Sequence, residues 1–186
     1  MPRVARVDVA NNFYHVINRS VMRLPIFTSD KEYLHFEKLI EETVEKIGIK
    51  LISYEIMPNH WHFLLETEND GDLALFMHKL TNTHTRQVKS ITKTIGTGPL
   101  YQGRYKSFLI QNDSHLLAVL KYIERNAVRA KLVKRAEDWR WGSAWRRING
   151  SQKQKQILSN SPVSIPDDYR HNTQISWHDL TLLALG

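Results

Sequence analysis

Two stretches with the pattern of β-strands, separated by one short turn, limit the possible folds of this chain more than any other feature. Residues 49–56 and 60–67 are rich in β-branched and aromatic residues, and Met57-Pro-Asn59 lies between them. Proline cannot donate to a strand ladder and asparagine favours turns, so this tripeptide is typical of a tight connection. We therefore expect the two strands to form an antiparallel hairpin.

Further strand and helix patterns surround this hairpin in a regular order. Strands are predicted over residues 13–19 and 105–111. Ser29-Asp-Lys-Glu32 has capping-box spacing and begins a helix that ends at Gly48. Two more helices are predicted, over residues 72–95 and from Asp113 or Ser114 to about Lys131. This order is typical of an α+β, ferredoxin-like (βαββαβ) core with an added C-terminal helix.

The composition narrows the chemistry and the partners. Of the 186 residues, 41% are hydrophobic and none is cysteine, which excludes disulfides, thiolate catalysis and cysteine-based metal sites. The formal net charge of +7 favours an anionic partner such as nucleic acid. Because we find neither a membrane-spanning run nor a signal-peptide pattern, we expect a cytoplasmic protein without a membrane partner. Residues 1–149 are predicted to form one domain, followed by a polar linker and tail over residues 150–186.

The sequence His60-Trp61-His62 is the clearest candidate for a metal site. Side chains alternate along a strand, so both imidazoles project from one face while Trp61 points into the core. Two histidines without cysteine suit an open site that one oxygen ligand and exchangeable waters complete, as for Mg²⁺ or Mn²⁺ acting on a phosphate. The alternative interpretation is a pair of surface or hydrogen-bonded histidines without a metal.

The last predicted helix of the core carries a second candidate group. Tyr122 and Asn126 are four residues apart and therefore share a face of that helix, and Arg129 extends the same stripe. The neighbouring stripe is apolar and suited to packing. The alternative interpretation is a tyrosine half-buried beside the core, with its hydroxyl bonded to the backbone.

Cationic and aromatic side chains suited to single-stranded DNA occur together before the fourth strand. Tyr101, Arg104 and Lys106 lie in one predicted loop, where bases can stack on tyrosine and phosphates can pair with the cations. Arg19 and Arg23 follow the first strand, and together with Arg129 of the last predicted helix they extend this candidate DNA-binding surface. The alternative interpretation is an ordinary solvated hairpin loop without a role in DNA binding, because such a loop has the same composition.

Four segments in this order resemble the single-tyrosine HUH transposases, and among them the REP-associated tyrosine transposases of bacteria. They are Phe13-Tyr-His-Val-Ile-Asn-Arg-Ser20, Met57-Pro-Asn-His-Trp-His-Phe-Leu-Leu-Glu66, Tyr101-Gln-Gly-Arg-Tyr-Lys-Ser107 and Tyr122-Ile-Glu-Arg-Asn-Ala-Val-Arg-Ala130. The resemblance implies an HUH nuclease core that binds single-stranded DNA, often beside a hairpin. It implies that His60 and His62 bind the divalent ion and that Asn126 completes the metal site. The nucleophile implied by the resemblance is Tyr122, in the added helix.

The resemblance implies that the enzyme cuts and rejoins DNA through a 5′-phosphotyrosine intermediate. Covalent catalysis divides one difficult transfer into two easier steps. This chain departs from the family at Ala127, where proline is common, and at Trp61, where an aliphatic residue is preferred. Because alanine does not restrict a helix as proline does, we expect the helix to continue through this position.

Two further functions are compatible with these patterns. One is a catalytically silent, hairpin-DNA-binding protein of the same fold. The other is an RNA-binding ferredoxin-like domain that uses aromatic residues of the sheet. The presence of His60, His62 and Tyr122 favours a DNA strand-cleaving and strand-transferring enzyme. By the same resemblance, a monomer is favoured over a homodimer.

Overall fold

A four-stranded antiparallel sheet forms the centre of the molecule in the computed structural model, which describes residues 7–163. The strands are β1 (Phe13–Arg19), β2 (Lys50–Met57), β3 (His60–Glu66) and β4 (Lys106–Leu109). The helices are α1 (Asp30–Ile47), α2 (Asp72–Ile91), α3 (Asp113–Glu124), α4 (Asn126–Arg129), α5 (Ser143–Asn149) and α6 (Gln152–Lys155). The strand order in the sheet is β2-β3-β1-β4. Together with the order of the elements along the chain, this confirms the predicted α+β, ferredoxin-like fold.

Helices cover both faces of the sheet. On one face α1 and α2 pack over a core that contains Phe36 of α1, Phe76 of α2 and Trp61 of β3. On the other face α3 packs over a smaller cluster that contains Leu64 and Leu120. Side chains of successive strand residues alternate between these two layers, as the sequence predicts. The aromatic residues of β3 are therefore buried, which argues against RNA recognition on an open sheet surface.

The bounds of α1 follow from local signals in the sequence. Glu32 Oε2 accepts the backbone N–H of Ser29 at 3.0 Å in the predicted capping box. Gly48 ends the helix with φ of 81°, a left-handed conformation that glycine adopts without strain.

A β-bulge interrupts the pairing of β2 with β3. Leu51 pairs with Leu65, but the next partners are Ser53 and Leu64, so Ile52 is the extra residue. Leu51 packs in the α1–α2 layer and Ile52 in the α3 layer. After the bulge, Glu55 pairs with His62 and the two side chains share a face of the sheet.

Three predicted elements are longer than the observed ones. Helix α2 ends at Ile91 instead of residue 95, and both Ile91 and Ile95 are exposed. Strand β4 covers Lys106–Leu109 instead of residues 105–111. The last predicted helix is divided at Arg125 into α3 and α4, and its N-cap is Asn112 instead of Asp113 or Ser114.

The described part of the predicted linker contains local structure. A capping box at Ser151 begins α6, Leu158 forms a parallel bridge with Leu51, and Ile157 packs against the core. The stretch up to Leu158 is therefore attached to the sheet, whereas residues 164–186 of the predicted tail lie outside the described residues. The domain boundary after residue 149 stays a prediction. Within residues 7–163, every helix is too short or too polar to span a lipid bilayer.

Candidate active site

Strand β3 presents His60 and His62 on the face of the sheet that α3 covers. Their ring centroids are 5.2 Å apart. His62 is 1% exposed, and Trp61 between them is buried in the opposite layer. The expected alternation along this strand is therefore present, with two neighbouring imidazoles on one side.

Asn126, the first residue of α4, lies against both histidines. Its Nδ2 is 3.0 Å from His62 Nε2. The same side chain forms hydrogen bonds with His60 and with Tyr122. Because an amide nitrogen can only donate, His62 Nε2 is the acceptor and carries no hydrogen in this arrangement.

Tyr122 near the end of α3 faces the same group. Its ring centroid is 5.5 Å from that of His62, and the Arg129 guanidinium lies 4.7 Å from the ring centroid. Burial raises the pKa of the Tyr122 hydroxyl, whereas Arg129, the hydrogen bond to Asn126 and Arg19 act in the opposite direction. The structure thus brings Tyr122 and Asn126 together with the histidine pair, although the two residues belong to separate helices.

His15 of β1 is a member of this cluster that our sequence analysis missed. It is 2% exposed, and its Nε2 is 2.9 Å from His62 Nδ1. Since His62 Nε2 accepts a hydrogen bond, the neutral His62 ring carries its hydrogen on Nδ1 and donates it to His15. His15 therefore fixes both the orientation and the tautomer of His62. The sequence carries no local signal for this contact, because it depends on the pairing of Ile17, which shares a face of β1 with His15, with His62 of β3.

The environment keeps these imidazoles neutral. Burial lowers the pKa of His60 to about 4, with a further contribution from Arg19. Burial also lowers the pKa of His15 to about 3 and that of His62 well below its usual value. Histidine must be neutral to bind a cation, and these lowered pKa values favour the neutral form at physiological pH.

The residues at this place fit a divalent ion as an open site. Two neutral imidazoles are present, and a half-turn of the Asn126 amide would present its oxygen, a donor that hard ions accept. No group of three or more histidine, aspartate or glutamate side chains within residues 7–163 is arranged to hold a metal. The remaining ligands would therefore come from water or a phosphate.

A cleft of 610 Å³ opens beside Tyr122. Three of the predicted DNA-binding cations, Arg19, Arg104 and Lys106, line it together with that tyrosine. The other two predicted cations differ in position, because Arg129 lies over the Tyr122 ring whereas Arg23 is exposed in a short 3₁₀ turn outside the cleft lining. The cleft therefore combines positive charge with the candidate nucleophile.

Tyr101 is not available for base stacking, which corrects one prediction. It is 6% exposed and packs on the α1–α2 side of the sheet. Its hydroxyl accepts a hydrogen bond from Trp61 Nε1 at 3.1 Å and lies 2.6 Å from His84 Nδ1. The aromatic ring of this loop residue therefore belongs to the core.

Comparison with known proteins shows to which protein family this chain belongs. A family model described as "Transposase IS200 like" matches residues 8–126, a range that extends from before β1 to Asn126 and so contains the whole histidine–tyrosine cluster. The chain belongs to the IS200-like transposase family. A protein of Haemophilus influenzae named as a REP-associated tyrosine transposase is 27% identical to this IS200-like transposase over 142 residues, which are 72% of this chain and 80% of the relative.

A solved structure has the same fold as this IS200-like transposase. It is the structure of a REP-associated tyrosine transposase bound to a REP hairpin, with a TM-score of 0.66 and 17% sequence identity. The match covers 95% of this chain and 100% of the other. The resemblance to the REP-associated tyrosine transposases, inferred from four sequence segments, is confirmed.

Proposed function

We propose that this protein cleaves and rejoins single-stranded or hairpin DNA with Tyr122 as the nucleophile. The observation that carries the proposal is the convergence of Tyr122 with His62 and Asn126, where Tyr122 also lines a cationic cleft. A tyrosine, a pair of neutral imidazoles and phosphate-binding cations are the groups that such a transfer requires. The relative in complex with a REP hairpin supports hairpin DNA as the partner.

In the proposed reaction the hydroxyl oxygen of Tyr122 attacks a backbone phosphorus. A bond forms between this oxygen and phosphorus while the bond from phosphorus to the 3′ oxygen breaks. The phenolic proton is lost to solvent and the released 3′ oxygen gains one, so the products are a 5′-phosphotyrosine and a 3′-hydroxyl. Attack by a 3′-hydroxyl on the phosphotyrosine reverses these changes and rejoins the strand.

The side chains around Tyr122 favour this step. Arg129 and Arg19 counteract the effect of burial on the pKa of Tyr122 and so favour the phenolate. Arg104 and Lys106, on the cleft wall, bind the phosphates of the strand that enters. His60, His62 and Asn126 would hold Mg²⁺ or Mn²⁺, which when bound supplies positive charge to the phosphate oxygens.

A covalent-adduct assay tests the proposal. The protein is incubated with labelled single-stranded oligonucleotides that contain a hairpin, with Mg²⁺ or Mn²⁺, and the products are separated under denaturing conditions. We expect a protein–DNA adduct with the native chain. Tyr122→Phe should abolish it because the attacking oxygen is lost, and the double substitution His60→Ala/His62→Ala should abolish it because the ion is no longer held.

Two matched variants serve as controls. Tyr105→Phe removes a different tyrosine hydroxyl near the cleft, and His35→Ala removes an exposed imidazole on α1; both should form the adduct. A specific complex with hairpin DNA that yields no adduct with either metal would refute the proposed cleavage and favour the catalytically silent alternative.

A further inference from the structure

Glu55 is a completely buried carboxyl group next to the candidate active site. It is 0% exposed on β2, and it pairs with His62 of β3. Directly paired residues of neighbouring strands project from the same face, so Glu55 points toward the layer that contains Asn126. A glutamate is almost never buried to this extent without a specific partner.

The partner of Glu55 is the backbone of the helix that carries Asn126. Glu55 Oε1 accepts the N–H of Ala127 at 2.6 Å. Ala127 is the second residue of α4 and is itself 0% exposed. The N–H groups in the first turn of a helix have no acceptor within the helix, so the Glu55 carboxyl supplies one from another element of the fold.

The surroundings of Glu55 leave it little freedom to move. A Cβ added at Gly142 would lie 3.1 Å from Glu55 Oε2, a tight contact, so a side chain at this position would press on the carboxyl group. The backbones of Glu55 and Gly142 form an antiparallel bridge, and Ile56 donates to the Trp141 carbonyl at 2.9 Å. Burial raises the pKa of Glu55 well above its usual value and nearby Glu124 adds to this effect, whereas the hydrogen bond from Ala127 acts in the opposite direction.

The interruption at Arg125 makes this contact important for the placement of Asn126. Arg125 has φ of −102° and ψ of 9°, outside helical geometry, and this residue separates α3 from α4. The position of Asn126 therefore does not follow from that of Tyr122 through one rigid helix. It depends on what holds α4, and Glu55 binds the residue directly after Asn126.

We propose that Glu55 is a positioning residue that holds Asn126 against His60 and His62 by capping α4 from strand β2. The contribution of this placement to metal binding rests on the function proposed above. The placement of Asn126 itself does not rest on that function. The test therefore has one readout for the placement of Asn126 and another for metal binding.

The first readout is the side-chain amide resonance of Asn126 in ¹⁵N-labelled protein without metal, assigned by its loss in Asn126→Asp. We expect Glu55→Val to shift this resonance away from its native position, because Ala127 loses its acceptor and the hydrogen bond between Asn126 and His62 is released. Glu55→Gln keeps an acceptor oxygen and should keep the native resonance.

The second readout is the affinity for Mn²⁺ alone, measured by calorimetric titration. We expect Glu55→Val to weaken it about 10- to 100-fold, the usual effect of removing a residue that orients a metal ligand, with a much smaller effect of Glu55→Gln. Ser53→Ala is the matched control, because it removes another buried hydrogen bond on the same face of β2, to Ser143. It should lower stability without changing either readout.

Ala127→Pro removes the donor of the same contact and gives an independent test if Glu55→Val does not fold. It should shift the Asn126 resonance in the native background. Where Glu55→Val does fold, Ala127→Pro should have a smaller effect in that background. A native Asn126 resonance in either folded single variant would overturn the proposal. A shifted resonance combined with absent Mn²⁺ binding by the native chain would refute the metal site and leave the positioning role intact.

Discussion

His62 is held at both ring nitrogens, by His15 on one side and Asn126 on the other. Neither partner is close to His62 in sequence. The sequence could therefore predict the face on which His62 lies but not the residues that hold it. Alternation along β3 placed the two histidines on one face, since that depends only on strand geometry. The contribution of His15 depends on the pairing of β1 with β3, which local patterns do not reveal.

Tyr101 is a residue to which the sequence analysis assigned the wrong role, whereas His15 was missed. A tyrosine between proline and arginine in a loop is compatible with base stacking, but its hydroxyl links Trp61 and His84 inside the core. Composition alone cannot distinguish these two roles. The difference arises because the loop passes over the α1–α2 layer, where buried donors and acceptors need a partner.

We predict that Tyr101→Phe lowers the free energy of unfolding by about 1–3 kcal/mol, because two buried polar groups lose their partner. Chemical denaturation measures this change, and fluorescence anisotropy measures the affinity for single-stranded DNA. The DNA affinity of the folded variant should equal that of the native chain. A loss of DNA affinity at unchanged stability would instead assign the hydroxyl to the DNA-binding surface.

At the scale of elements, the local signals at the start and end of α1 predicted its bounds well, and those of α3 did not. The capping box and Gly48 act within a few residues of the helix ends. By contrast, the division at Arg125 accompanies a contact between Ala127 and Glu55, which are 72 residues apart. Helix α2 likewise ends where its apolar residues no longer face a packed layer, and Ile95 is 76% exposed.

The cleft beside Tyr122 is built by elements distant in sequence, with Arg19 from β1 and Lys106 from β4. We predict that Arg104→Ala and Lys106→Ala each weaken binding to single-stranded DNA to a similar degree for all sequences. The slope of log affinity against log salt should decrease in magnitude by about 1 for each phosphate contact removed. Salt titrations followed by anisotropy measure both effects.

The control for these cations is Lys38→Ala, which removes an exposed lysine on α1 that pairs with Glu42. It leaves the cleft unchanged and should bind DNA with the native salt dependence. If Lys38→Ala has the same effect as Arg104→Ala, binding follows net charge and not the cleft.

For the molecule as a whole, the neutral histidines make stability depend on pH. The pKa values of His15 and His84 are lowered to about 3 and that of His60 to about 4, chiefly by burial. Between these values and about 6.5, the unfolded chain binds more protons than the folded one. The free energy of unfolding should therefore fall as the pH is lowered from about 6.5 to about 4.

Glu55 acts against this trend, because its pKa is raised and the folded chain retains a proton that the unfolded chain loses above about pH 4.5. Each group contributes a slope of at most about 1.4 kcal/mol per pH unit, so several histidines outweigh one glutamate. Urea denaturation at a series of pH values measures the result. Glu55→Gln should make the decrease steeper, and a stability independent of pH would contradict the neutral state of the histidines.

The oligomeric state is a further property of the whole molecule. We predict a monomer, which light scattering coupled to size-exclusion chromatography should report as 21.8 kDa, the mass of one chain. A mass of twice this value at micromolar concentration would show a homodimer. The measurement should be repeated with hairpin DNA, since a partner can change the state of association.

The bulge at Ile52 determines which side chains of β2 lie on the side of the sheet that contains the candidate active site. Because Ile52 has no partner in the ladder, Ile52 and Ser53 project from the same face, and Glu55 lies beside His62. If Ile52 paired with Leu64 instead, every later position of the strand would change sides: Ser53 and Glu55 would enter the apolar layer beneath α1 and α2, and Tyr54 and Ile56 would face Tyr122. Deletion of Ile52 would restore an uninterrupted ladder without moving Glu55 to the other face, so it is the unpaired state of this isoleucine that keeps the acid beside α4.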